Sequence, residues 1–157
     1  MESLEILVSI RKIVRALSIE SKTIEKEYGL SIPQFLCLDH LQKCPNYQTT
    51  QKDLKGMLNL NASTISGLIN RLEKKGYVAR LPKAGDRRVT HITLTASGIK
   101  LIENVPNILH NRLTSRLDNL STEQREEVKK ALEIITSAMQ IREIDASPIL
   151  ISDTTVN

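Results

Sequence analysis

The chain has 157 residues, a formal net charge of +4 and only 3% aromatic residues, with no tryptophan. This length suits one domain with an aliphatic core, and six glycines with five prolines favour helices over a turn-rich sandwich. No apolar run reaches the ~20 residues of a membrane span, the acidic start at Glu2 and Glu5 argues against a secretory signal, and two cysteines fit a reducing cytoplasm better than a disulfide scaffold.

A first helix is predicted from Leu4 to about Tyr28. Ile6, Ile10, Ile13, Leu17 and Ile24 form one stripe, Leu7 and Val14 widen it, and Gly29 ends it. Ser31-Ile32-Pro33-Gln34 has the form of a capping box. It opens a second helix to about Lys43 with Phe35, Leu38 and Leu41 inward, broken by Cys44-Pro45-Asn46. Thr49 or Thr50 caps a short third helix through Leu58, in which Leu54 and Leu58 are buried. Asn59-Leu60-Asn61 is a tight turn, and Asn61 caps a fourth helix, Ala62 to Lys75, stopped by Gly76.

Tyr77–Leu81 and Val89–Leu94 read as two strands of a hairpin joined by a loop from Pro82 to Arg88. Thr95 or Ser97 then opens a long helix carrying Ile102, Leu109, Leu113, Leu117 and Leu120, with Pro106 either kinking it or marking its true start. Ser121-Thr122-Glu123-Gln124 is a second capping box, and the last helix sets Val128, Leu132, Ile135 and Met139 on one face. Residues 144–157 lack a helical period and are expected to form a loose tail or an extended arm.

Charge is concentrated in the middle. Thr49–Thr95 holds nine basic and three acidic residues, a net +6, so the rest of the chain sums to −2. That points to a localised anionic partner. The fourth helix divides cleanly at about 100° per residue. Ile65, Leu68, Ile69 and Leu72 cluster inward, while Ser63, Gly67, Asn70 and Lys74 lie opposite, flanked by Ser66 and Arg71. Small residues permit close approach to a major groove, hydroxyl and amide groups reach base edges, and Arg or Lys bind guanine or phosphate. A short helix, a tight turn and such a helix make a helix-turn-helix, and the following hairpin makes it winged. An arginine at the hairpin tip suits a narrow, negative minor groove. Asp86 is expected to pair with Arg87 or Arg88 and leave the other free to insert. The alternatives are an ordinary amphipathic surface helix with a solubilising turn, and a winged helix that binds protein without touching DNA.

Leu60 to Gly98, "LNASTISGLINRLEKKGYVARLPKAGDRRVTHITLTASG", resembles the recognition helix and wing of the MarR (multiple antibiotic resistance regulator) family, and "GLSIPQFLCLDHL" resembles its second helix. The likeness extends to about Arg142. It implies a mainly α winged helix-turn-helix with a small β-hairpin wing, dimerisation helices at 1–30 and 98–143, and a DNA-binding lobe at 31–97. It also implies a homodimer on near-palindromic double-stranded operators, in most members a repressor. Many members release DNA when a small anionic or phenolic effector enters a cleft between the lobes. Apolar stripes at both chain ends independently call for a partner surface, which a C2 dimer supplies. The first helix is also similar to that of MarR-type repressors of compatible-solute (ectoine) synthesis.

Other chemistry finds little footing. Cys37 and Cys44, placed seven apart on one helix, would have Cα atoms about 10 Å apart, beyond the ~7 Å a bridge allows. A buried, inert Cys37 is therefore favoured over a cysteine-based redox sensor or an intersubunit disulfide. His40, His91 and His110 show no metal-ligand spacing. No nucleophile elbow, phosphate loop or dinucleotide fingerprint is present, so neither catalysis nor a cofactor is expected.

Overall fold

The computed structural model describes residues 2–83, 85–86 and 88–141. Helices α1 (Glu2–Tyr28) and α2 (Ile32–Lys43) are followed by a 3-10 turn at Pro45–Tyr47 and strand β1 (Gln48–Thr50). Next come α3 (Gln51–Leu58), α4 (Ala62–Lys74), β2 (Val78–Arg80), β3 (His91–Leu94) and α5 (Ala96–Asn104). Helices α6 (Leu109–Asp118) and α7 (Thr122–Ala138) complete the described elements.

Local chemistry sets the helix starts. Ser31 and Ser121 each close a reciprocal capping box, with Gln34 and Gln124 respectively. Thr50, Asn61 and Thr95 accept from the backbone N–H three residues on, which satisfies a donor the helix itself leaves unpaired. Each such cap contributes about 1 kcal/mol. Burial decides how the helices face. In α4, Ile65, Leu68, Ile69 and Leu72 are all at most 1% exposed. At about 1.5–3 kcal/mol per side chain, that face far outweighs any surface contact in orienting the helix. It packs against α2, α3 and β2, where Leu38, Leu41, Leu54 and Val78 are likewise buried in an aliphatic core.

The sheet has three antiparallel strands in the order β1-β3-β2, with Thr49 opposite Ile92 and Ala79 opposite Thr93. The sequence reading anticipated only the β2–β3 hairpin. Strand β1 is three residues long, too short to show an alternation, and its pairing is with residues more than forty positions away. The expected long helix after Thr95 is two helices. Val105 caps α5 in an extended conformation, and α6 begins only after Ile108, so Pro106 separates them rather than bending one helix.

Two compact units divide at Pro106 and Asn107. Helix α5 packs on α2 and falls in the same unit as α1 and the winged helix. A close approach explains how α5 is fixed. A Cβ built on Gly98 would overlap the Tyr77 carbonyl oxygen. Around it, Thr95 accepts from the Gly98 N–H at 3.1 Å, and its hydroxyl donates to the Gly76 carbonyl at 2.5 Å. Gly76 itself has φ +78°, a conformation that a side chain would strain. The expected tail, 144–157, lies outside the described residues.

Candidate nucleic-acid interface

Turning its apolar stripe inward leaves α4 with a polar outer face. Ser63, Asn70, Arg71 and Lys74 are exposed, and Gly67 and Ser66 are half-buried. The six residues are not equivalent. Ser63 donates to the Asn61 carboxamide at 2.9 Å, beside the cap that starts the helix. Ser66 is turned toward α3, where its hydroxyl accepts from the Gln51 amide at 2.8 Å and braces the two helices. Arg71 lies over Gly67, 3.5 Å from where a Cβ would stand. Lys74 makes no ion pair among the described residues. Lys75 is used elsewhere: its ammonium donates to the Gly29 carbonyl at 2.6 Å, tying the end of α4 to the turn between α1 and α2.

Asn70 has a partner the sequence reading did not include. Its side-chain oxygen accepts from Arg80 Nη2 at 2.7 Å, while Nη1 of the same guanidinium pairs with Glu73. Arg80 stands on β2, seven and ten residues from its two partners, so no helical spacing announces the contact. A basic residue in the strand that follows a polar helix was the available signal.

At the wing, Asp86 and Arg88 are exposed, and Arg87 lies outside the described residues. The proposed carboxylate–guanidinium pair is not how Asp86 meets Arg88. Its Oδ1 accepts from the Arg88 backbone N–H at 3.0 Å, and the backbone N–H of Val89 donates to the Asp86 carbonyl at 3.1 Å. A short carboxylate reaches its own main chain two residues on more readily than a long, solvated guanidinium, the geometry of an Asx turn. Among the described residues, these bonds hold the backbone at Asp86–Val89, and Arg88 is exposed.

At the entrance to α3, Thr49 donates to Asp53 at 3.3 Å, and hydrogen bonding by Thr50, then by Thr49, holds the Asp53 carboxyl below its usual range. Cys37 is fully buried, and burial pushes its thiol up to about 12. Cys44 caps the end of α2 instead of lying within it, and both cysteines are free. Among the described residues no cluster of three or more His, Cys, Asp or Glu could hold a metal ion, and no helix is long and apolar enough to cross a membrane.

This arrangement of helices and strands is a winged helix, and residues 30–90 match the model of the MarR family. Over those residues the winged helix is similar to that of the MarR family. It is 28% identical over 140 residues to the HTH-type transcriptional regulator YfiV of Bacillus subtilis, covering 88% of this chain and 86% of that one. It is 25% identical over 120 residues to the transcriptional repressor MprA of Escherichia coli, covering 76% and 68%. Among solved structures, the S. aureus MepR–DNA complex superposes with a TM-score of 0.62 at 27% identity, over 83% of this chain and 96% of MepR. These MarR-type relatives are transcription regulators, not enzymes.

Proposed function

We propose that the chain is a DNA-binding transcription regulator that acts as a homodimer, represses, and is released by a small ligand. The observation that carries DNA binding is the exposed Ser63–Lys74 face of α4 beside a wing bearing Arg88, in a fold shared with MepR, which has been crystallised on DNA. In this reading α4 enters the major groove and Arg87 and Arg88 reach the adjacent minor groove. Burial of Cys37 weighs against a cysteine-based trigger, because the thiolate is the reactive form.

Dimerisation through 1–30 and 98–143 is supported by aliphatic side chains left in the open on the terminal helices. Ile13 is 59% exposed on α1, and Leu132 and Ile134 are 55% and 70% exposed on α7. A two-fold pair would present two α4 helices to half-sites about one helical turn apart. Repression and ligand release rest on the MarR family resemblance and on the name of the relative MprA.

The test is fluorescence anisotropy of the full chain on duplexes from the DNA flanking its own gene, across a salt series. Each phosphate contact should add about 0.9 to the slope of log affinity against log salt. Arg88→Ala should weaken binding by about 1–3 kcal/mol. A salt-insensitive complex, or no complex, would overturn DNA binding and favour a protein-interaction module.

A further inference from the structure

The contact between Asn70 and Arg80 has a consequence for which base α4 can read. This inference rests on the DNA-binding reading above. A guanidinium only donates hydrogen bonds, so the Asn70 atom that meets it must be the oxygen. Arg80 is itself held by Glu73, one turn along the same helix, so the clamp has two points on α4 and one on β2. With the oxygen directed to Arg80, the amide nitrogen is the atom that faces away from the clamp. It makes no hydrogen bond among the described residues, and Asn70 is exposed.

An unrestrained asparagine reads adenine by presenting oxygen and nitrogen together, to N6 and N7. Asn70 presents its nitrogen alone. The positive guanidinium beside it further disfavours a base that offers a donor. We infer that Arg80 makes Asn70 a donor-only reader, which favours a base edge that offers acceptors with no donor beside them, guanine O6/N7 or thymine O4, over adenine, whose N7 acceptor lies next to the N6 donor. Arg80 is then a positioning residue for specificity. Its stabilising effect is small, because a partly exposed ion pair contributes little.

The experiment is selection from a randomised duplex library by the full-length protein, with the enriched sites sequenced for the parent, Asn70→Ala, Asn70→Asp and Arg80→Met. In the parent, the symmetry-related pair of positions that Asn70 reads carries guanine or thymine. Asn70→Ala flattens the preference there and nowhere else. Asn70→Asp keeps the bond to Arg80 but turns an acceptor outward, so the choice switches toward cytosine, whose N4 donates, by at least about fivefold. Arg80→Met frees the amide to rotate, and adenine rises at the same position by a similar factor. Asn70→Asp carries the test by itself should Arg80→Met fail to fold.

If Asn70→Asp retains the parent's base, or Asn70→Ala weakens all sequences equally as a lost phosphate contact would, the inference is wrong while DNA binding stands. If the parent enriches no sequence and binds no duplex, the DNA-binding reading fails and this inference with it.

Discussion

Helices α4 and α7 both carry aliphatic side chains every three or four residues, yet they bury them differently. All four of the α4 set are within 1% of complete burial, on a helix packed by α2, α3 and β2. In α7 no residue is buried, and Val128, Leu132 and Ile134 remain 39%, 55% and 70% exposed. Helix α1 is intermediate: Ile24 near its end is buried, whereas Leu4, Ile6, Leu7, Ile13 and Val14 are open. A hydrophobic stripe states that a face wants cover. Whether the same chain provides that cover depends on what else folds nearby.

The contrast has consequences for mutation. The largest effect is expected in the closed core. Leu68→Ala removes a side chain with no exposed surface to spare and should cost about 2–5 kcal/mol, read as a lower urea midpoint with an unchanged slope. Gly98→Ala should follow at about 1–3 kcal/mol. The new methyl meets backbone at Tyr77, which cannot swing aside as a side chain tip would. A loss below 0.5 kcal/mol in the same titration would show that α5 can shift freely.

The open faces should respond to concentration. If a second copy covers α7, Leu132→Glu should weaken self-association at least tenfold, about 1.4 kcal/mol, in sedimentation velocity. The parent's Tm should rise with protein concentration and the variant's should not. A parent that sediments as a monomer at all concentrations would leave these stripes without the partner proposed for them.

The smallest effect is chemical. With its thiol pushed up to about 12, Cys37 is ionised in only about one molecule in ten thousand at pH 8. Iodoacetamide should therefore label the half-exposed Cys44 and spare Cys37 until urea is added, as peptide mass mapping would show. Prompt labelling of Cys37 in the native protein would reopen a redox role.

Much of the winged helix could be read from local residues because its signals are local. Ser31, Asn61 and Ser121 name their own helix starts, and the stripe at Ile65, Leu68, Ile69 and Leu72 names the buried face. What escaped were contacts between distant segments. Strand β1 exists because β3 offers an edge, not because Gln48-Thr49-Thr50 prefers extension. Pro106 offered two outcomes, and choosing between them required knowing that α5 packs on α2. The candidate site divides the same way. The polar face of α4 followed from helix geometry, but Ser66 turning to Gln51 and Asn70 to Arg80 each depend on the fold, whereas the bond from the Arg88 backbone to Asp86 is a local turn that competes with the expected side-chain pair.

Because β1 runs directly into α3 while pairing with β3, the wing stem and the helix-turn-helix share a joint. The first N–H of α3, at Gln51, donates to the Thr90 carbonyl at 2.9 Å, just ahead of β3. Tilting α3 and α4 thus drags the base of the wing along, like two jaws of a caliper on one bar. Their spacing is set by the sheet, so a tilt of one would carry the other with it.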